Sequence, residues 1–94
     1  MTTTRYTFGD SDAAAGRMGL VAAAYEPSSR ALLARVPRGG TVVDLGCGPG
    51  HSTLLLADAC RPTALHGLDA SAAHLERARR MVPRATFTLS LIHI

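Results

Sequence analysis

The residues VVDLGCGPGHS, at positions 42–52, join an apolar run to a cluster of three glycines. The run Thr41–Leu45 is short and rich in β-branched side chains, which predicts a buried strand. His51–Cys60 carries three consecutive leucines and predicts a helix directly after the glycines. A glycine-rich turn between a strand and a helix lets backbone N–H groups approach a ligand that a β-carbon would keep away. We therefore expect a ligand site at this turn.

Beyond the turn, strand and helix patterns alternate with the spacing of crossover connections. The further predicted elements are a strand at 64–68 that ends at Asp69, a helix at 72–82 with Ser71 as its N-cap, and a strand at 85–89. Leu75, Ala78 and Val82 are expected to form the inner face of that helix. Alternation of this kind produces a parallel sheet covered by helices. The sequence therefore predicts the α/β class, with the β-α-β-α-β order of a doubly wound Rossmann-like fold.

Two helices are predicted ahead of the first strand. Residues 11–25 are alanine-rich and have mostly helical spacing. The residues suited to cap their first turn are Asp10, Ser11 and Asp12. Pro27 fits the first turn of a second helix, where its missing N–H has no helical partner to lose, and this helix is expected to end at Val36. We therefore assign residues 1–40 to an N-terminal helical segment that precedes the alternating strands and helices of residues 41–89.

The composition favours one small globular domain without a nucleic-acid partner. The chain has 94 residues, of which 47% are hydrophobic and 18% charged. Its net charge of +3 comes from ten arginines, because the sequence contains no lysine. Only Arg77, Arg79 and Arg80 form a cluster, which we interpret as a solvated helix face. Aromatic residues are few and are not interleaved with basic ones, so nucleic-acid binding is not expected.

The cysteines and histidines do not predict a metal site. Cys47 and Cys60 lie too far apart for a CxxC pair, and the four histidines do not combine with them at a metal-ligand spacing. We therefore expect reduced thiols, no metal and a cytoplasmic location. No segment approaches the ~18 apolar residues that span a bilayer, and the start of the chain lacks the apolar run of a signal peptide. No association with a membrane is expected.

The spacing of the glycines separates two classes of ligand. A dinucleotide-binding turn has the pattern GxGxxG, which would put the third glycine at position 51. Here the third glycine is Gly50, and position 51 is His51. Asp44 stands two residues before the first glycine, where its carboxylate would repel a pyrophosphate but suits a ligand that carries an ammonium and a sulfonium group. A phosphate-binding P-loop is disfavoured as well, since it needs a lysine.

The segment DLGCGPG, preceded by two valines, resembles motif I of the class I S-adenosylmethionine-dependent methyltransferases. That family has a second acidic residue at the end of the second strand, whose two oxygens accept hydrogen bonds from both ribose hydroxyls; Asp69 matches it. Ala70 matches the residue that packs on the adenine. The resemblance implies S-adenosylmethionine as the cofactor and a binding set of Asp44, Gly46, Cys47, Gly48, Gly50, Asp69 and Ala70. Residues 6–20 and 26–33 look like the N-terminal helices of small-molecule methyltransferases of the trans-aconitate type.

Three single residues have less specific assignments. Cys47 is interpreted as a small side chain tolerated in a tight loop, although a thiol at a helix N-terminus can be reactive. His51 either packs beside the cofactor or simply starts the helix, and no proton transfer is assigned to it. Arg17 is either a contact for the cofactor carboxylate or a surface arginine. No catalytic residue is assigned.

The resemblance implies transfer of a methyl group from S-adenosylmethionine to an unidentified small-molecule acceptor. Two alternatives stay open, an NAD(P)-binding oxidoreductase and a non-catalytic helical interaction module built on residues 11–36. The resemblance implies that residues 41–89 are only the first half of the family's domain. We therefore expect the chain alone to be inactive and to bind the cofactor weakly or not at all.

Residues 90–94 are predicted to be a non-native tail. The stretch 89–94 reads LSLIHI and holds both isoleucines of the chain, whereas the rest is rich in alanine, arginine and glycine. Codons that encode this hexapeptide resemble a transposon end used in sequencing libraries.

Overall fold

A computed structural model of the chain describes residues 9–91, which form six elements. In order they are α1 (Asp12–Leu33), β1 (Thr41–Leu45), α2 (His51–Cys60), β2 (Ala64–Asp69), α3 (Ala72–Met81) and β3 (Thr86–Leu89). From β1 onward these bounds agree with the predicted ones to within one residue. The predicted α/β class and the parallel β-α-β-α-β order are confirmed. Residues 1–8 and 92–94 lie outside the described residues, so the predicted tail stays a prediction.

A single helix, α1, occupies the segment where the sequence predicts two helices, and this prediction is wrong. Pro27 lies inside α1 and not in a first turn. An interior proline lacks one helical hydrogen bond and crowds the carbonyl of residue i−4. Pro27 is exposed, and one turn further on Arg30 pairs with Glu26 at 3.6 Å and with Asp58 of α2 at 3.0 Å. α1 packs against α2, and the Arg30–Asp58 ion pair adds a contact between the two helices beyond Pro27. Tertiary packing of this kind can override the local preference of a residue.

Both capping predictions are confirmed. The Oγ of Ser11 accepts a hydrogen bond from the N–H of Ala14 at 3.1 Å, which caps α1. The Oγ of Ser71 accepts from the N–H of His74 at the same distance and caps α3. Because Ser11 is the cap, the neighbouring carboxylates of Asp10 and Asp12 make other contacts, described below.

The three strands form one parallel sheet in the order β1-β2-β3. Helices α2 and α3 contact each other and the sheet, and the core is buried between these helices and the sheet. The core consists of Cys47, Ala57, Leu65, Leu75, Ala78, Val82 and Phe87. It includes the predicted inner face of α3. On the other face of the sheet Val43 and Leu45 stay largely exposed. Since all strands run the same way, the residues that follow β1 and β2 meet at one edge of the sheet.

Candidate functional site

A cleft of about 510 Å³ lies between the first half of α1 and the glycine turn that follows β1. Its lining consists of Ala14, Arg17, Met18, Val21 and Ala22 from α1, Gly46, Cys47, Gly48 and Pro49 from the turn, and His51 and Ser52 from α2. The residues from α1 recur every three or four positions, so they share one face of the helix. The cleft stands at the carboxyl ends of the strands, where open parallel sheets bind their ligands.

The backbone N–H groups of the turn are engaged inside the protein at three positions. Cys47 donates to the carbonyl of Leu68 at 2.9 Å, and Gly48 donates to Oδ1 of Asp69 at 3.1 Å. Gly50 donates to the carbonyl of Cys47 at 3.2 Å. The expectation that the turn presents its N–H groups to a ligand is therefore wrong at these positions, because the fold itself uses them. A phosphate-binding turn needs such groups aimed at the anion.

Asp69 joins the glycine turn to the start of α3. Its carboxylate is buried, with the residue 1% exposed. While Oδ1 holds Gly48, Oδ2 accepts from the N–H of Ser71 at 3.0 Å. A carboxylate has about four acceptor positions, so these two bonds do not exhaust it. Ala70, which stands between Asp69 and Ser71 in the sequence, is exposed.

Asp44 supports the turn from the side of α2. Its Oδ2 accepts hydrogen bonds from the hydroxyls of Ser52 at 2.7 Å and Thr53 at 2.8 Å. This places a negative charge beside the first turn of α2, where the helix dipole favours it. Asp44 therefore fixes the position of the helix that the glycine turn leads into.

The side chain of Cys47 belongs to the core. A β-carbon placed on Gly67 would stand 3.1 Å from its sulfur, and the residue is 3% exposed. Burial, followed by the negative charges of Asp69 and Asp44, raises the pKa of the Cys47 thiol to about 12. The thiol is therefore protonated and unreactive at neutral pH. The same two charges give the turn a negative potential.

Gly50 is required for the packing of α2 against α3. A β-carbon on Gly50 would stand 2.9 Å from Cα of Ala78, and the residue has φ +104°. Both facts favour glycine over any other residue. Gly50 thus faces α3 and is not part of the lining of the cleft.

The predicted binding residues fall into three groups. Gly46, Cys47 and Gly48 line the cleft. Asp69 contacts this group directly through Gly48, with the exposed Ala70 beside it. Asp44 and Gly50 hold the turn in place from behind.

Of the α1 residues that line the cleft, the sequence singled out only Arg17, as either a contact for the cofactor or a surface arginine. A β-carbon on Gly48 would stand 3.7 Å from Sδ of Met18, so this methionine lies across the turn. The ring of His51 lies against Gly19, where a β-carbon would stand 3.1 Å from it. The spacing of Ala14, Met18 and Val21 is the signal that could have identified this face, because it marks one side of a helix.

A second cavity of about 290 Å³ lies between α1 and α2. It shares Ala22, His51 and Ser52 with the cleft but is not lined by the glycines of the turn. Among residues 9–91, no three His, Cys, Asp or Glu side chains come together as a metal site requires. None of the helices described is both long and apolar enough to cross a membrane.

The structure is that of an α/β protein with a cleft at the carboxyl ends of its parallel strands. Residues 42–93 match the methyltransferase domain family, and this match covers more than half of the chain. The chain belongs to that family, which confirms the resemblance of its glycine turn. The matches support neither the oxidoreductase nor the helical interaction module.

Curated and solved relatives agree with this assignment. The trans-aconitate 2-methyltransferase of Delftia acidovorans is 52% identical over 61 residues, which are 63% of this chain and 23% of that protein. The chain thus spans about a quarter of the length of the curated relatives that it matches. A TehB-like S-adenosylmethionine-dependent methyltransferase from Corynebacterium glutamicum is 26% identical, with a TM-score of 0.63, over 81% of this chain and 42% of that one.

A further solved structure is a complex of the Haloferax volcanii Trm112 methyltransferase activator with its methyltransferase partner. It matches with 33% identity and a TM-score of 0.70, over 94% of this chain and 40% of that chain. The match extends over nearly all of this chain, including the N-terminal helix that forms one wall of the cleft.

Proposed function

We propose that the cleft binds S-adenosylmethionine, and that the chain is the cofactor-binding part of a methyltransferase acting on a small molecule. The glycine turn carries this proposal. Its N–H groups at Cys47, Gly48 and Gly50 are engaged within the protein, and the carboxylates of Asp44 and Asp69 flank it. A pyrophosphate would lack donors there and would be repelled, whereas a ligand that carries sulfonium and ammonium charges is attracted.

The residues of the cleft suit the parts of this cofactor. Gly46 and Gly48 allow close approach to the backbone, and Met18 lies across the turn as an apolar wall. Arg17 is the basic side chain of the lining and would pair with the carboxylate of the cofactor.

Residues at the end of β2 and directly after it would hold the other end of the cofactor. Ala70 is exposed and would lie against the adenine. The carboxylate of Asp69 would accept hydrogen bonds from the ribose hydroxyls, at the acceptor positions that the N–H groups of Gly48 and Ser71 do not occupy. When bound, the cofactor supplies a methyl group already activated by the charge on sulfur. The role of the chain would be to hold and orient the cofactor.

The acceptor is proposed to be a small molecule. Trans-aconitate, after which the curated relatives are named, is the first acceptor to assay. A cytoplasmic location is proposed as well, supported by the two free cysteine thiols in the described residues, Cys47 and Cys60.

Nuclear magnetic resonance tests the binding proposal, because it detects weak association in a chain of this size. ¹⁵N-labelled chain is titrated with S-adenosylhomocysteine and, separately, with NADH. We expect S-adenosylhomocysteine to shift the amide signals of Met18, Gly46 and Gly48 with weak affinity, and NADH to leave them in place. Shifts with NADH alone, or none with S-adenosylhomocysteine at millimolar concentration, would contradict the proposal.

A pair of glycine variants provides the control. Gly48→Ala places a methyl group on the floor of the cleft at φ +55° and is expected to weaken binding about tenfold or more. Gly16→Ala adds the same group to the exposed side of α1, where it meets no atom within 4 Å, and should leave binding unchanged.

A further inference from the structure

Residues 9–12, which lead into α1 and include its first residue, lie on the first turns of α3; we call this segment the N-terminal strap. Ser71 Oγ donates to Oδ2 of Asp10 at 2.9 Å. Arg77 donates twice, through Nη1 to the carbonyl of Asp10 at 2.7 Å and through Nη2 to Oδ1 of Asp12 at 2.6 Å. Contacts separated by more than sixty residues in sequence thus join the strap to α3.

A buried histidine completes this cluster. His74 is 0% exposed, and its Nδ1 lies 3.3 Å from Nη1 of Arg77 while its Nε2 lies 3.2 Å from the carbonyl of Gly9. Because a guanidinium has only donors, Nδ1 must accept and Nε2 must carry the proton that is donated to Gly9. The carbonyl of Gly9 and the guanidinium of Arg77 therefore favour the same tautomer of His74, and both side chains contact the strap.

Arg77 is the centre of the cluster. Its side chain is 19% exposed, whereas that of Asp12 is 99% exposed. An ion pair with so exposed a partner contributes little alone. The same guanidinium also holds a backbone carbonyl and the ring of His74, so removal of Arg77 breaks three contacts at once.

The strap leads directly to the wall of the cleft. Ser11 caps α1, and Ala14, in the first turn, is 2% exposed and lines the cleft. Arg17 and Met18 follow on the same face. The anchor of the strap on α3 therefore fixes the end of α1 from which the cofactor wall is built.

We infer that Arg77 is a positioning residue for the cofactor cleft, which it acts on by clamping the N-terminal strap to α3 and so holding α1 over the glycine turn. This inference rests on the proposed function for the part that concerns the cofactor. The clamp itself does not depend on it. Arg77 touches no residue of the cleft lining in the contacts described, so its effect is transmitted through α1.

The test compares Arg77→Ala, Arg77→Lys and Asp12→Asn with the control Arg80→Ala in the 94-residue chain. Arg80 lies on the same helix, is exposed and reaches Asp12 only as a weak electrostatic neighbour. Hydrogen exchange of the α1 amides from Ala14 onward is measured without ligand and compared with that of the β2 amides. Affinity for S-adenosylhomocysteine is then measured by titration.

We expect Arg77→Ala to reduce protection in the first turns of α1 about tenfold, with β2 unchanged, and to weaken binding about tenfold because fewer molecules have the cleft formed. Arg77→Lys should restore part of both, and Arg80→Ala should change neither by more than about twofold. Asp12→Asn, at an exposed position, should lie between wild type and Arg77→Ala. If Arg77→Ala does not fold, Asp12→Asn provides the test in its place.

Unchanged protection of α1 in Arg77→Ala would overturn the clamp. Reduced protection with unchanged affinity would overturn the positioning role, because α1 would then be dispensable for the cleft. If the wild-type chain binds no S-adenosylhomocysteine while Arg77→Ala still loosens α1, the clamp stands and the proposed function fails. The two failures are thus distinguished.

Discussion

Asp69 accepts a hydrogen bond from the main chain of Gly48 at 3.1 Å, across 21 residues of sequence. This bond joins the two features on which the assignment depends, the glycine turn after β1 and the acidic residue at the end of β2. With Ser71 bound to its second oxygen, Asp69 holds three segments at the edge of the sheet in one arrangement. The residue that the family resemblance assigns to the cofactor is therefore also a structural support of the cleft.

Asp69→Asn is expected to destabilise the chain by about 2 kcal/mol. The amide keeps one acceptor oxygen but points its NH₂ group at the N–H of either Gly48 or Ser71, so one hydrogen bond to a buried charged group is lost. Urea unfolding measures this change. Asp58→Asn, which removes an exposed carboxylate on α2, is the control and should change stability by less than about 1 kcal/mol. Equal effects of the two substitutions would contradict the supporting role of Asp69.

Gly50→Ala is expected to cost about 3 kcal/mol. The new methyl group would stand 2.9 Å from Cα of Ala78, a backbone atom that cannot move without moving α3, and the φ of +104° is strained for alanine. Thermal or urea unfolding measures the loss.

Gly16→Ala is the matched control for that substitution. It lies within α1 where a β-carbon meets nothing within 4 Å, so it should stabilise the chain by roughly 0.5–1 kcal/mol. The two glycine-to-alanine substitutions should therefore change the stability of the chain in opposite directions. A neutral Gly50→Ala would show that α2 and α3 are not in close contact at this point.

The elements from β1 onward could be predicted because their signals are local. The β-branched run at Thr41–Leu45, the glycines after it and the cap at Ser71 each determine the structure within a few residues. The cleft could be placed only in part. Gly46 and Gly48 are marked by the motif, whereas the wall formed by α1 depends on how that helix docks.

What could not be predicted depends on contacts that are distant in sequence. The continuity of α1 through Pro27 accompanies its packing against α2, a helix distant in sequence, to which the exposed ion pair of Arg30 with Asp58 adds one contact. Arg77 belongs to a cluster interpreted as a solvated face, and that interpretation is wrong for this residue, since its partners Asp10 and Asp12 are more than sixty residues away. Periodicity identifies which face of a helix is apolar, but it does not identify the partner of a charge.

The buried thiol of Cys47 predicts a loss of stability in alkali. The pKa of this thiol is raised in the folded chain from its ordinary value of 9.0 to about 12, so the folded state keeps a proton that the unfolded state releases. The stabilisation is complete below pH 9 and is lost as the pH rises toward 12, by at most ~1.4 kcal/mol per pH unit. Urea unfolding between about pH 8 and pH 10 measures the slope. The variant Cys47→Ala should show a smaller slope than wild type, and an identical slope would refute the assignment.

Asp12 reports directly on the clamp through its own titration. The hydrogen bond and the charge of Arg77 hold the pKa of the Asp12 carboxyl below its ordinary value of 3.8. A carboxyl with a lowered pKa stabilises the folded chain above its ordinary pKa, and this contribution is lost as the pH falls through the lowered value. The contact between Asp12 and Arg77 should therefore persist down to about pH 4 and weaken below it. Carbon-detected magnetic resonance of the side-chain carboxyl follows this titration residue by residue.

In Arg77→Ala the Asp12 pKa should return close to 3.8, and in Arg80→Ala it should rise only slightly, because Arg80 is the weaker of the two charges acting on it. An Asp12 carboxyl that titrates alike in wild type and Arg77→Ala would mean that the contact between strap and helix does not form in solution.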